Sequence, residues 1–405
     1  MPICPRVGRR NVTMNKRTDF EIELDRIDQA IGELEAGAFA PPIDSERATK
    51  YVYLVYQRAS LSGSLDGFDV AEKSLQRAIA ELGPASDLYF LKANLDFKFH
   101  RLTAVRDDLE TGRDLRDTIQ GRALRADLDF QEGRYQEARA GYEAVIKEDL
   151  TWDNLARLAY FKFKMGDIAA AEQLYIEAED ELTAKEMRHY AWVELQRGVL
   201  QLRQGCYQEA AAHYDRADRA YSGYWLVDDH KAELLGAEGK FAEAAELYER
   251  VIEQAPRPEF QQALGELYEV LGQRERAEGC YQKALAGYLE SAERGDVHFY
   301  HHLADFFADV REDGAEAVKW ARRDIALRRN FSTLAALAWS LYRAGEFAEA
   351  LETMRQALSS GAADAHLFFQ AATIYQSADA NGNSDRYLRM AQAINPHYRS
   401  FHVHR

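Results

Sequence analysis

The chain has 405 residues, 47% hydrophobic and 29% charged, an ordinary balance for a chain with enough apolar surface to fold. Sixty-seven acidic against 51 basic side chains leave a formal charge of -16, which repels a phosphate backbone at long range and argues against nucleic acid as a partner. Cys4, Cys206 and Cys280 are scattered, with no Cys-x-x-Cys spacing. They support neither a disulfide framework nor a zinc site and point to a reducing, cytoplasmic setting.

Residues 1–18 carry Arg6, Arg9, Arg10, Lys16 and Arg17 and no acid. A secretory signal would follow such charges with an apolar core of about 7–15 residues, and Asp19, Glu21 and Glu23 stand there instead. A disordered basic arm is expected, with Met14 as an alternative initiator. No apolar run reaches the roughly 18 residues of a membrane span, so no membrane partner is expected.

Residues 19–44 are expected to be a capping helix followed by a proline-containing loop. Leu24, Ile27, Ile31 and Leu34 recur at steps of three and four, which draws one apolar stripe along a helix. Thr18 and Glu21 have capping-box spacing, and Gly37 is a natural stop before Pro41 and Pro42. A second helix is expected from Asp44 or Ser45 to about Ser62.

From there a small residue recurs as a ruler: Ala71, Val105, Ala138, Ala171, Ala210, Ala244, Ala277, Ala317, Ala350 and Ser384. The steps are 34, 33, 33, 39, 34, 33, 40, 33 and 34 residues. A second small residue stands 12 positions earlier, 13 in one repeat: Ala59, Ala93, Ala126, Ala159, Gly198, Ala232, Gly265, Ala304, Ala338 and Ala372. Two helices approach closely only where both present small side chains, because an extra methylene in a packed contact costs about 1–3 kcal/mol. Gly133, Gly166, Gly205, Gly239, Gly272 and Gly345 stand five before the ruler, at the turn. Tyr142, Tyr175, Tyr214, Tyr248 and Tyr281 stand four after it as large core rings. In the two long steps the second helix is expected to run on for an extra turn or more.

The order of Leu264, Gly265, Tyr268, Gly272, Ala277, Tyr281 and Ala284 resembles the tetratricopeptide repeat, a helix-turn-helix module of about 34 residues. The resemblance covers roughly residues 45–396. It implies an all-α, right-handed α-solenoid of about ten repeats in one continuous array, ending at Pro396, with a tail over 397–405. It further implies a concave groove that binds a peptide or helix of a protein partner, as scaffolds and adaptors do. The register places Tyr53, Tyr56, Phe90, Phe97, Phe130, Arg157, Tyr160, Phe163, Lys164, Trp192 and Arg203 on the groove wall of the first half. Glu233, Glu266 and Glu269 follow in the second half, then Trp339. A chaperone-binding subfamily carries paired Lys and Asn positions; Tyr56 and Ser60 occupy the first pair here and only Asn94 matches, so that clamp is not expected.

One cluster offers other chemistry. His298, His302 and Asp305 are spaced four and three apart; on a helix they share a face and form a candidate metal site. The second reading is therefore a metal- or small-ligand-binding accessory protein. Cofactors and catalysis are not expected: the chain has no G-x-x-x-x-G-K-[ST], G-x-S-x-G or H-E-x-x-H motif. Self-association through the terminal repeats is compatible with a stack.

Overall fold

The structure is a computed structural model that describes residues 17–112, 114–377 and 381–400. Arg17 and Thr18 are described; the rest of the expected basic arm lies outside, as do the tail positions 401–405. Among the described residues every element is helical. Helix α1 (Asp19–Glu35) starts on the expected capping box, Thr18 and Glu21 satisfying each other's backbone amides.

Ten hairpins follow among the described residues: α2 (Ser45–Ser62) with α3 (Leu65–Leu82), α4 (Ser86–Lys98) with α5 (Leu102–Thr111), α6 (Ile119–Gln131) with α7 (Tyr135–Glu148), α8 (Trp152–Lys164) with α9 (Ile168–Asp180), and α10 (Met187–Arg203) with α11 (Tyr207–Ala220). The array continues with α12 (Trp225–Ala237) and α13 (Phe241–Gln254), α14 (Pro258–Val270) and α15 (Arg274–Glu293), then α16 (Tyr300–Asp305) and α17 (Gly314–Leu327). It ends with α18 (Phe331–Arg343) and α19 (Phe347–Ser359), then α20 (Ala365–Ser377) and α21 (Asn381–Ile394).

One turn recurs. Gly133, Gly166, Gly205, Gly239, Gly272 and Gly345 all adopt positive φ. The amide after each reaches back to the first helix, as Arg134 does to Asp129 O at 2.8 Å and Cys206 to Gln201 O at 2.9 Å. This is the bond that closes a helix on a left-handed glycine. In the hairpin of α4 and α5, His100 holds the left-handed position at φ 57°.

The rulers mark the hairpin core, with one refinement. A Cβ on Gly265 would stand 2.6 Å from the Tyr281 ring, so the small residue of the first helix makes room for the tyrosine as well as for the ruler alanine. Tyr142, Tyr175, Tyr214, Tyr248 and Tyr281 are all buried. The long step near residue 280 does extend a second helix, α15, to 20 residues. The other does not: α9 stops at Asp180, and its extra residues form a loop and lengthen α10 to 17 residues. Glu186 there accepts from both the amide and the hydroxyl of Thr183, a local bond that competes with helix continuation.

The solenoid closes on itself. The turns inside hairpins form one edge of the ribbon and the loops between hairpins form the other; the first edge of the early hairpins packs against the second edge of the late ones. Trp225 Nε1 donates to Leu61 O at 3.0 Å. Asp19 accepts from the Ser222 hydroxyl at 2.7 Å, and Arg101 donates to Asp296 at 3.0 Å. Asn330 Nδ2 donates to Gln131 O at 2.9 Å, while Phe331 N donates to Tyr135 Oη at 2.7 Å. A Cβ on Gly166 would touch Ala363, and Tyr207 stacks on His397 at 5.2 Å. These partners lie about two hundred positions apart, so two successive turns of the superhelix share one concave wall.

Candidate functional site

The concave wall is built by the first helices of the hairpins, and cavities lie along it among the described residues. The first has a volume of about 370 Å³ and brings together Phe97, Phe130, Arg157, Tyr160 and Trp192 with Trp152. Its rings meet edge to face: Trp152 with Trp192 at 6.0 Å and 66°, Phe130 with Tyr160 at 6.1 Å and 84°. Such pairs hold their geometry because each ring's positive edge meets its neighbour's negative face. Arg157 forms an ion pair with Asp127, which also accepts from Tyr142 Oη at 2.9 Å. Burial holds the Arg157 guanidinium down at about 10, and the Asp127 pair keeps the charge compensated in a hollow whose polar lining also includes Gln131, Asp153 and Gln196.

A second cavity, about 320 Å³, adjoins the first through Trp152 and Trp192 and holds Tyr53, Tyr56, Arg188 and Tyr224. Tyr53 and Tyr160 are exposed in this wall, whereas Phe130 is buried. Phe90 packs against the core of Ala93, Leu102 and Leu124. Phe163 and Lys164 stand apart from Tyr160's cavity: with Arg203 they line a smaller one of about 180 Å³ where the two superhelical turns meet. Lys164 Nζ lies 5.4 Å over the Tyr160 ring and 5.3 Å over Phe163, bridging the two hollows. Arg203 stands 3.6 Å from the buried Glu233, which also lies 3.4 Å from His230.

The fourth cavity, about 350 Å³, is acidic and holds Glu266, Glu269, His301, His302, Asp305 and Asp309. Glu266 accepts from Gln262 at 3.0 Å and Glu269 from Tyr281 Oη at 2.7 Å. Trp339 Nε1 donates to Asp309 at 3.0 Å and its ring stacks on Tyr342 at 5.0 Å. His301 Nε2 lies 3.2 Å from Asp305. Burial pushes the Asp305 carboxyl up to about 6, with His301 opposing, while Asp305 raises the His301 imidazole above its ordinary value.

The candidate metal trio does not share one helical face. Helix α16 begins only at Tyr300, so His298 precedes it, and a π-helical turn spans Phe306–Val310. His298 packs on Phe99 of the earlier turn at 4.8 Å, His302 stacks on Tyr288 at 5.6 Å, and Asp305 faces His301. Among the described residues no group of three or more His, Cys, Asp or Glu is arranged to hold a metal ion. The wide turn has its own support: Arg343 Nε donates to Ala308 O at 2.7 Å.

Trp152 and Asp127 are the residues that the groove register misses. Trp152 is the first residue of α8, outside the mid-helix positions on which the register rests, and its ring stacks on His189 at 4.6 Å. Its signal in the sequence is an aromatic at a helix start, and its ring also packs on the core of its own hairpin.

The fold thus defines a solenoid of helical hairpins. The family model described as tetratricopeptide repeat matches residues 231–292, from within α12 to the last turn of α15, and the other hairpins have the same helix-turn-helix form. No curated protein matches the chain. Among solved structures it is similar to the one described as the APC/C hetero-tetramer Cut9-Hcn1, at 16% identity and a TM-score of 0.45, covering 93% of this chain and 79% of that one. It is also similar to TTC0263, described as a thermophilic TPR protein in Thermus thermophilus, at 22% identity and 0.37, covering 42% and 91%. MamA is similar at 22% identity and 0.33, covering 42% and 96%. No helix among the described residues is long and apolar enough to cross a membrane.

Proposed function

We propose that this chain is a non-catalytic adaptor that holds an extended segment or helix of a protein partner against its concave wall in the cytoplasm. Tetratricopeptide repeats are a protein-interaction fold, and the observation that carries the reading further is the cavity of about 370 Å³ walled by Trp152, Trp192, Phe130 and Tyr160. Aromatic rings fixed by one another give a large contact area at little cost in freedom, the property of binding anchors. The partner's anchor is an apolar or aromatic side chain in that hollow. Its flanking basic groups lie toward Glu266, Glu269 and Asp305.

The test is capture from the native host with the chain as bait, comparing wild type with Tyr160→Ala/Trp192→Ala. Phe130 is left intact because it is buried, and truncating it would mix folding with binding. Two anchors at about 1–2 kcal/mol each predict a loss of roughly 30-fold or more in affinity; Trp192 also packs on the core of α8 to α10, so capture is compared at a temperature where circular dichroism shows both chains folded. Equal capture by both chains would remove the reading.

A further inference from the structure

The contact between superhelical turns leaves two unmatched edges. In the first turn the hairpin-turn edge is covered: Gly63 meets Trp225, Gly166 meets Ala363, and Gly205 meets Asn395 and His397. In the second turn the same edge is bare: among the described residues, a Cβ added at Gly239, Gly272 or Gly345 would find no atom within 4 Å. The loop edge is the mirror case. The loops at Ser222, Asp296, Asn330 and Ala363 are the covered ones, while the first-turn loops after α7 and α9 carry exposed apolar side chains.

Both bare edges carry exposed apolar side chains at positions that are covered elsewhere. Phe347 stands three residues before its ruler alanine, as Tyr135 and Tyr207 do. Those two pack against Phe331 and His397 of the next turn, but Phe347 is 42% exposed. On the other edge Leu150 is 53% exposed and Met187, the first residue of α10, 37%. Leu150 stands twelve residues after its ruler, the place that Arg329 holds over Gly133.

We infer that these edges bind each other between copies: the hairpin-turn edge of one copy's second turn docks on the loop edge of the next copy's first turn, continuing between chains the seam that each chain makes within itself. The occupant is a second copy because the interface already exists and only its next register is empty. The two surfaces are different, so the contact is heterologous and does not close; it builds an open, head-to-tail row. The contact is apolar, and the charge of -16 on every copy opposes it, so added salt strengthens the association by screening. The inference is independent of what the concave wall binds.

The experiment is sedimentation or light scattering of the full chain over a concentration series to millimolar, in low and high salt. Phe347→Glu disables one edge and Leu150→Glu/Met187→Glu the other; all three side chains are exposed, and circular dichroism checks each fold. Wild type is expected to grow past the dimer without a plateau, each variant alone to stay monomeric, and an equimolar mixture of the two variants to give 1:1 dimers, since one intact edge of each kind remains. A wild type that is monomeric throughout, that stops at a dimer, or that grows equally with either edge disabled overturns the inference.

Discussion

Asn330→Asp separates the closed superhelix from a simple open stack by the sign of its effect. Asn330 Oδ1 caps α18, accepting from Ser332 N and Thr333 N at 3.0 Å each, while Nδ2 donates across the seam to Gln131 O at 2.9 Å. Aspartate keeps the cap and adds a negative charge at a helix start, worth about 0.3–1 kcal/mol of stabilisation. It loses the seam donor and turns a carboxylate oxygen toward a carbonyl, in a place where the side chain is buried. An orphaned buried acceptor costs about 1–3 kcal/mol, so the net expectation is a loss of roughly 1–2 kcal/mol. The assay is urea unfolding with scattering of the native state. Combining the change with Tyr135→Phe, which removes the neighbouring acceptor for Phe331 N, should give a non-additive total, because both act on one contact. If Asn330→Asp stabilises the chain, only the cap responds, and the seam is not formed in solution.

Three further outcomes follow from the same geometry. Gly265→Ala places a methyl 2.6 Å from the Tyr281 ring; after the helix-propensity gain, a net loss of about 1–2 kcal/mol in thermal unfolding is expected, and an unchanged melt would mean that ring is not seated on Gly265. Glu194 is 1% exposed; burial alone would raise its carboxyl, but hydrogen bonds from His213, Arg216 and Tyr190 outweigh that and hold it at about 2, against an ordinary 4.5. A depressed carboxylate contributes stability that is complete above its unfolded value and lost as pH falls through its folded one, so on the order of 2 kcal/mol should disappear between those limits, allowing for screening on the Arg216 side. Glu194→Gln should flatten that part of the stability profile, and a profile as steep as wild type would contradict it. In the acidic cavity Asp305 protonates near 6, so a partner's basic group held there should bind about tenfold more weakly at pH 5 than at pH 7, one charge pair being worth near 1.4 kcal/mol. Asp305→Asn should bind more weakly at pH 7 and keep only the part of that dependence that the neighbouring His301 supplies; a wild type equally tight at both values would place the basic group elsewhere.

The hairpins were legible because their signals are local and repeated. A glycine that must adopt positive φ, an alanine at a crossing and a tyrosine one turn later recur so often that ten hairpins can be counted from the residues alone. The capping box at Thr18 was legible for the same reason. The seam was not: Trp225 with Leu61 and Arg101 with Asp296 pair single residues far apart in the chain, and nothing repeats to mark them. The wall of Phe97, Phe130, Arg157, Tyr160 and Trp192 was visible as a register of first-helix positions. Its division was hidden, because the cavity that Phe163 and Lys164 line has its other wall in Phe331, Asp364 and His366 of the second superhelical turn. The histidine cluster misled through periodicity, since a helical wheel assumes an unbroken helix and α16 starts only after His298, while His302 and Asp305 lie inside it and line one cavity.

The claim on which the shared wall, the junction cavity and the bare edges all rest is that the second turn lies against the first. Asp19 and Ser222 exchange hydrogen bonds across that contact, with the Ser222 hydroxyl 2.7 Å from the Asp19 carboxylate. Asp19→Cys/Ser222→Cys, in a chain whose native cysteines are replaced by serine, should form an intramolecular disulfide under mild oxidation at low protein concentration, because the bond requires Cα atoms within about 7 Å. Rapid, near-complete loss of free thiol in the monomer is the predicted result. Thiols that stay free while the chain remains folded would show an open superhelix and contradict the account.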